Sequence, residues 1–143
     1  MRIILIGRSQ AGKTTLCQRI TQRELQYHKT QTIHCFNDSI IDTPGEYLER
    51  RKFHGALMVA AADADVIVLV QDAIEKGTMF PPAYTSAFSK PVVGVVTKCD
   101  LARKEEIVSA KKYLVLAGAD KIFETSSISG KGIDSLVAYL KLL

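Results

Sequence analysis

One segment near the start of the chain constrains the fold more than any other. The apolar run at residues 3–6 leads directly into residues 7–14, Gly-Arg-Ser-Gln-Ala-Gly-Lys-Thr. Two glycines, a lysine and a threonine at this spacing satisfy the phosphate-loop pattern, in which backbone N–H groups and a helix N-terminus face phosphate oxygens. The segment therefore predicts a buried strand, a phosphate loop and a helix, in that order.

The loop also assigns the phosphate contacts. Lys13 is expected to reach the β- and γ-phosphates as a catalytic cation, and Thr14 to give a hydroxyl oxygen to Mg²⁺. The nucleotide-binding residues predicted in this part of the chain are Gly7, Ser9, Gln10, Ala11, Gly12, Lys13, Thr14 and Thr15.

Short apolar runs rich in β-branched residues alternate with stretches of helical spacing. Strands are predicted at 3–6, 66–70 and 92–96, and helices at 14–21, 51–62, 102–117 and 133–142. This alternation predicts an α/β, three-layer P-loop NTPase fold of the small-GTPase type, with a mostly parallel sheet and helices on both faces. Residues 32–36 and 39–42 leave no room for a helix between them, which predicts a hairpin. The hairpin would add one antiparallel edge strand and complete a six-stranded sheet.

Composition narrows the class of protein. A chain of 143 residues, 47% hydrophobic and 24% charged, fits a single domain spanning 1–143. The net charge of +4 is dispersed, and its one tight cluster at 50–52 is interpreted as a solvated helix end rather than a nucleic-acid surface. Three cysteines without paired spacing favour a reducing cytoplasm. The apolar runs are shorter than the ~18 residues that span a membrane, so no membrane partner is expected.

A second motif, Asp42-Thr43-Pro44-Gly45, directly follows the predicted hairpin. Asp42 is expected to hold a magnesium-bound water. Gly45 can bring its backbone amide close to the γ-phosphate and is assigned, with Lys13, to the catalytic set.

Two further motifs are expected to bind the base. In Thr97-Lys98-Cys99-Asp100, the Asp100 carboxylate can accept hydrogen bonds from N1 and the exocyclic amino group of guanine, donors that adenine lacks at those positions. Lys98 can lay its stem along the ring. A backbone amide of the segment Ser126-Ser127-Ile128 can meet the guanine O6. The ligands predicted are thus GTP or GDP with Mg²⁺, with ATP disfavoured.

All four motifs, in this order, resemble the translation-factor-related GTPase superfamily over nearly the whole chain. Within it, residues 28–32, the brief hairpin and residues 42–47 resemble the EutP/PduV family of ethanolamine and propanediol utilisation proteins. The resemblance implies a bacterial source and an operon serving a metabolic microcompartment, with a shell protein or metabolic enzyme as partner. It credits one branch of the family with acetate kinase activity and another with shell association.

The resemblance also implies a switch threonine in the magnesium shell, which is either Thr30 or Thr32, and we select Thr30. Gln10 stands where many bacterial relatives carry an asparagine that helps a monovalent cation to bind, so potassium dependence stays open. Glu46 occupies the position of the water-orienting glutamine of efficient GTPases. It is interpreted either as a catalytic group or as the acidic start of the next helix.

Three functions remain open from the sequence. The first is a guanine-nucleotide switch or slow GTPase. The second is a phosphotransferase that moves a phosphoryl group between a nucleotide and acetate. The third is a scaffold without catalytic activity, in which the nucleotide only stabilises the fold.

Overall fold

The computed structural model describes the backbone of residues 1–28 and 40–143, and the side chains of residues 1–23 and 40–143. The described strands are β1 (Ile3–Gly7), β2 (Ile40–Asp42), β3 (Val66–Asp72), β4 (Val92–Thr97) and β5 (Lys121–Glu124). They form one sheet in the order β2-β1-β3-β4-β5, and every pairing among them is parallel. All residues of β1, β3 and β4 are buried, which explains why these strands are continuous apolar runs.

Helices connect the strands. The described α-helices are α1 (Lys13–His28), α2 (Glu46–Glu49), α3 (His54–Ala62), α4 (Lys104–Ala117) and α5 (Ile133–Leu142), and short 3₁₀ helices cover Arg51–Phe53 and Tyr84–Ala87. Among the described residues, no helix is long and apolar enough to cross a membrane.

The alternation of side chains along β1 separates two hydrophobic cores. Ile4 and Ile6 face the core that contains Leu57 of α3 and Leu114 of α4. Ile3 and Leu5 face the opposite core, which is formed largely by α1 and α5. Helices therefore cover both faces of the sheet, as the sequence predicts.

Several element boundaries differ from the predicted ones; α4, for example, begins at Lys104 instead of 102, and β3 ends at Asp72 instead of 70. Helix α1 continues past residue 21 to His28, because residues 22–26 are mostly strong helix formers. The helix predicted at 51–62 begins only at His54, and a 3₁₀ turn precedes it. The predicted second hairpin strand is present as β2, parallel to β1. The first hairpin strand, 32–36, lies outside the described residues, which hold five strands instead of the six predicted and no antiparallel pair.

The topology places every sequence motif at one edge of the sheet. Because all described strands are parallel, their carboxyl ends meet at the same edge. From β1, the chain first adds β2 on one side of this strand. It then returns to add β3, β4 and β5 on the other side, so the direction in which strands are added reverses between β1 and β3. Ligands of open α/β sheets bind in the crevice at such a point.

Leu114 provides a test of the packing that holds this sheet. Its side chain is fully buried and would meet a Cβ atom at Gly94 of β4 at 3.0 Å, whereas its neighbour Val115 is 61% exposed. We expect Leu114→Ala to lower the free energy of unfolding by about 2–5 kcal/mol, because the lost side chain leaves a cavity. Val115→Ala, the control, should change it by less than about 0.5 kcal/mol. Urea denaturation of both variants measures this, and equal costs would contradict the assignment of Leu114 to the core.

Candidate functional site

The phosphate loop connects β1 to α1, and the side chain of its lysine, Lys13, is hydrogen-bonded to the backbone of the same loop. Gly12 has a φ of +94°, a conformation that favours glycine. The Lys13 ammonium donates to the Arg8 carbonyl at 2.9 Å, so the side chain folds back over the loop. Ala11 and Lys13 are buried, while Ser9, Gln10, Thr14 and Thr15 are exposed. Lys13 thus lies within the loop rather than at its outer rim.

The electrostatic environment of Lys13 combines two opposing effects. Burial lowers the pKa of the Lys13 ammonium, and the carboxylates of Asp42 and Glu49 raise it in partial compensation. A polyanion bound in the loop would add negative charge beside the ammonium and so favour its charged form.

Thr14 and Asp42 meet at the start of α1. The Thr14 hydroxyl donates to the Asp42 carboxylate at 2.5 Å, and Asp42 ends β2 beside the loop. Both are hard oxygen donors of the kind that Mg²⁺ prefers, and a magnesium ion on nucleotide phosphates takes only one or two protein oxygens. The two residues therefore fit such an ion. The predicted third ligand, Thr30, and its alternative Thr32 lie outside the described residues. The described part of the chain contains no group of three or more His, Cys, Asp or Glu that could hold a metal.

The segment after β2 passes directly over the phosphate loop. The Thr43 hydroxyl donates to the Leu5 carbonyl at 2.7 Å and anchors the segment to β1. A Cβ atom built on Gly45 would lie 2.2 Å from the backbone nitrogen of Ser9, so only glycine permits this approach. Glu46 is exposed and is the first residue of α2.

Glu49 is a residue at this site that the sequence analysis missed. The Ser9 N–H donates to a Glu49 carboxylate oxygen at 2.6 Å. Hydrogen bonds from the backbone and the hydroxyl of Ser9 lower the pKa of Glu49, and the positive charges of Arg8 and Lys13 act in the same direction. The Glu49 carboxylate thus accepts a hydrogen bond from the Ser9 N–H, which the sequence had assigned to a phosphate oxygen. No local pattern in the sequence indicated it.

The end of β4 is tied to the phosphate loop by two side chains. The buried Thr97 hydroxyl donates to the Ala11 carbonyl at 2.6 Å. The Lys98 ammonium donates to the Gln10 carbonyl at 2.7 Å and to the Asp72 carboxylate at 2.8 Å. Asp72, at the carboxyl end of β3, was not predicted. The sequence feature that could have identified Asp72 is an acidic residue at the end of a long apolar strand, where the strand reaches the ligand edge of the sheet.

Asp100 is oriented by the loop after β5. The buried Ser126 hydroxyl donates to one Asp100 carboxylate oxygen at 2.7 Å, while Asp100 itself is exposed. A cavity of about 200 Å³ lies between this carboxylate and the phosphate loop. Its lining residues are Gly12, Thr15, Thr97, Lys98, Asp100, Leu101, Ser127 and Ile128, of which only Leu101 was not predicted. The fold therefore brings the phosphate motif and both base motifs to one cavity.

Gly45 gives a direct test of the close approach between the two loops. Its φ of −58° and ψ of −32° suit any residue, so Gly45→Ala isolates the steric contact with Ser9. We expect this variant to lose at least about tenfold in affinity for a nucleoside triphosphate, because displacing a packed loop costs more than about 1.4 kcal/mol.

The matched control is Gly55→Ala in α3, where an added Cβ meets nothing within 4 Å. It should leave binding unchanged and raise stability by up to about 1 kcal/mol. Calorimetric titration and thermal unfolding measure both effects, and unchanged binding by Gly45→Ala would rule out the contact.

Comparison with solved structures identifies the fold. The elongation factor SelB of Methanococcus maripaludis, in complex with the GTP analogue GppNHp, superposes with a TM-score of 0.72 at 21% identity, over 99% of this chain and 33% of SelB. The FeoB G-domain of Methanococcus jannaschii gives a TM-score of 0.68 at 19% identity, over 99% of this chain and 97% of that domain. The fold is that of a P-loop GTPase domain.

Sequence comparison identifies the family. The propanediol utilization protein PduV of Citrobacter freundii is 45% identical over 139 residues, which are 97% of this chain and 92% of that protein. The probable acetate kinase EutP of Escherichia coli (strain K12) is 29% identical over 143 residues, which are 99% of this chain and 90% of that protein. The profile of the PduV-EutP family, described as "Ethanolamine utilisation - propanediol utilisation", matches residues 1–142. The chain therefore belongs to the PduV-EutP family.

Proposed function

We propose that this protein binds a guanine nucleotide with Mg²⁺ at the carboxyl edge of its sheet and acts as a slow GTPase or switch in ethanolamine or propanediol utilisation. One observation carries the proposal: the cavity that Asp100, Ser127 and Ile128 line is also lined by Gly12 of the phosphate loop and by Thr15 at the start of α1. The GTPase Der of Chlamydia pneumoniae, 29% identical in an alignment of 165 positions that covers 100% of this chain and 33% of Der, supports a GTPase function. The proposal further has the protein act in the cytoplasm, with a microcompartment shell or a metabolic enzyme as its partner, and the family description supports the link to ethanolamine or propanediol utilisation alone.

Base selection follows from the chemistry of Asp100. One of its carboxylate oxygens receives the Ser126 hydroxyl, and the remaining lone pairs are free to accept the N1–H and amino donors of guanine. Adenine presents an unprotonated N1 and no amino group there, so the carboxylate would face an acceptor. Water can reach the exposed Asp100, so we expect discrimination of a few hundredfold, about 3 kcal/mol, rather than the ~10⁴ of a sealed site.

The part of the site around the phosphate loop is suited to bind the negatively charged phosphates of the nucleotide. Lys13 and the loop N–H groups stabilise the phosphate oxygens, Thr14 and the proposed ligand Thr30 would each give a hydroxyl oxygen to Mg²⁺, and Asp42 would hold a water bound to the metal. Bound there, the metal would neutralise charge on the phosphate oxygens. Gly45 brings the segment after β2 within contact of the loop at Ser9, so its amide is suited to report the presence of a γ-phosphate.

Hydrolysis is expected to be slow. Glu46 is exposed at the start of α2, and its negative charge is disfavoured beside a γ-phosphate. We therefore assign Glu46 to the helix start and expect intrinsic hydrolysis near or below ~10⁻³ s⁻¹. Faster turnover would need a partner that supplies the missing group.

An acetate kinase activity is the second candidate, which the name of the Escherichia coli relative supports. Acetate needs an unpaired cation near the γ-phosphate. Lys13 already contacts the Arg8 carbonyl, Arg8 pairs with Glu75 at 3.4 Å, and Lys98 pairs with Asp72. Each of these three cations therefore already has a partner, and binding of acetate would require one of them to exchange it. A scaffold in which the nucleotide does not turn over is the third candidate.

Asp100→Asn tests the base assignment. The amide offers a donor to the edge where guanine also donates, so GTP affinity should fall by at least about a hundredfold while xanthosine triphosphate gains affinity. Glu105→Gln, which removes an exposed carboxylate in the first turn of α4, is the control. Titration of each protein with GTP, ATP and xanthosine triphosphate measures this. Equal affinity of the wild type for GTP and ATP would contradict the assignment.

Single-turnover assays with and without acetate separate the three functions. We expect phosphate release from GTP at or below about 10⁻³ s⁻¹, unchanged by acetate and by Glu46→Gln, because neither is expected to take part in the step. Lys13→Ala, which removes the loop cation, is the inactive control, with circular dichroism to verify its fold. Acetyl phosphate as the product would favour the kinase, and bound nucleotide that never turns over would favour the scaffold.

A further inference from the structure

A side chain of α1 contacts the loop that follows β5, far away in the sequence. We define the base loop as residues 126–129. The Nε of Arg19 donates to the Ser127 carbonyl, and its Nη2 donates to the Ile128 carbonyl at 3.0 Å. One guanidinium thus holds two successive carbonyls. Its planar fork of donors suits this arrangement better than the single ammonium of lysine.

These contacts determine where the backbone N–H groups of the base loop point. In a trans peptide the C=O and N–H bonds point in opposite directions, and the described residues contain no cis peptide. Because the Ser127 carbonyl faces Arg19, the Ile128 N–H faces away from Arg19. Ser127 and Ile128 line the cavity that contains Asp100, while Arg19 lines a neighbouring cavity with Ser129 and Gly130. The Ile128 N–H accordingly points to the Asp100 side.

The next peptide of the base loop is fixed at both ends. Its carbonyl, from Ile128, accepts from Arg19, and its N–H, from Ser129, donates to the Ser126 hydroxyl at 3.2 Å. That same hydroxyl donates to Asp100. By contrast, the Ile128 N–H has no hydrogen-bond partner among the residues that the structure describes, so it is available to an acceptor.

Little else restrains the middle of the base loop. The Ile128 residue is 76% exposed, so apolar packing does not orient it. Backbone hydrogen bonds from Ser126 to Lys131 and from Gly130 to Ser126 close the ends of the loop, at 3.0 and 2.8 Å. Within the described part of the chain, Arg19 is thus the contact that orients the 127–128 peptide, and it shares the orientation of the 128–129 peptide with the Ser126 hydroxyl.

We propose that Arg19 is a positioning residue for base recognition: it aims the Ile128 N–H at the 6-oxo group of a purine, without touching the nucleotide itself. This inference rests on the proposed binding of a guanine nucleotide. It separates two contributions to selectivity, with Asp100 reading N1 and the 2-amino group, and Arg19 acting through the base loop on O6.

Three diphosphates distinguish these contributions in calorimetric titrations of the full chain. GDP carries all of the relevant groups. Inosine diphosphate lacks only the 2-amino group, so the GDP-to-inosine ratio of affinities reports on Asp100. In 6-thioguanosine diphosphate, O6 is replaced by sulfur, a weak acceptor, so the GDP-to-thioguanosine ratio reports on the O6 contact.

Arg19→Met keeps an unbranched apolar stem and removes both donors. We expect it to weaken GDP binding about three- to tenfold, the usual effect of one net hydrogen bond, and to reduce the GDP-to-thioguanosine ratio by the same factor. The GDP-to-inosine ratio should stay within about twofold of wild type, because Ser126 still orients Asp100. Arg19→Lys keeps one donor group, should be intermediate, and carries the test if Arg19→Met does not fold.

The control is Arg23→Met, which removes another guanidinium of α1, one that is paired with Asp134 of α5 at 2.7 Å. It should leave both ratios unchanged even if it lowers the melting temperature. Arg19 variants that lower the melting temperature and leave both ratios unchanged would show a purely structural role and overturn the inference. An equal fall of both ratios would show general collapse of the cavity and overturn it too. Wild-type protein that binds none of the three nucleotides would overturn the proposed function itself.

Discussion

The Lys98 ammonium links the halves of the candidate site. It lies between the Gln10 carbonyl of the phosphate loop and the Asp72 carboxylate at the end of β3, while its own backbone belongs to the segment after β4. Lys98 adopts a φ of +61°, which costs a non-glycine residue about 1 kcal/mol or more. A charge-assisted hydrogen bond to a partly buried carboxylate contributes about 1.5–3 kcal/mol, enough to offset that strain. The distance between the phosphate loop and the base cavity therefore depends on this cation together with the Thr97 hydroxyl, which holds the Ala11 carbonyl.

The sequence predicted the parts of the site that follow from strand order. Thr14 follows β1 and Asp42 ends β2. The two residues meet because β1 and β2 are parallel neighbours, so their carboxyl ends lie at the same edge of the sheet. The base motif at 97–100 is adjacent to the phosphate loop for the same reason. Core helices were predicted where apolar spacing continues without a break, as in α5, whose bounds agree with the prediction.

The remaining parts depend on contacts that no local pattern encodes. Glu49 reaches Ser9 because Gly45 packs closely against the phosphate loop, and this packing places α2, which begins at the next residue, beside the loop. Arg19 meets carbonyls 108 and 109 positions later in the chain, and such a contact depends on how two helices pack rather than on either segment alone. The helix predicted over 51–62 begins only at His54, because residues 51–53 form a 3₁₀ turn after the extended Arg50, which has a φ of −110° and a ψ of 123°. Helical spacing of apolar residues does not show such a turn.

Under the proposed function, the hydrogen bond between Ser9 and Glu49 would make nucleotide binding an exchange of anions at the Ser9 N–H. A phosphate oxygen that takes the Ser9 N–H has to replace a carboxylate that is already bound there. The apparent dissociation constant then equals the intrinsic one divided by the fraction of molecules in which this N–H is free, so an N–H free in about a tenth of them weakens affinity about tenfold. By the same linkage, a ligand that uses this N–H would release the Glu49 carboxylate from the loop, whereas one that leaves it alone would not. The occupancy of one backbone N–H is thereby coupled to the contact between Glu49, the last residue of α2, and the phosphate loop.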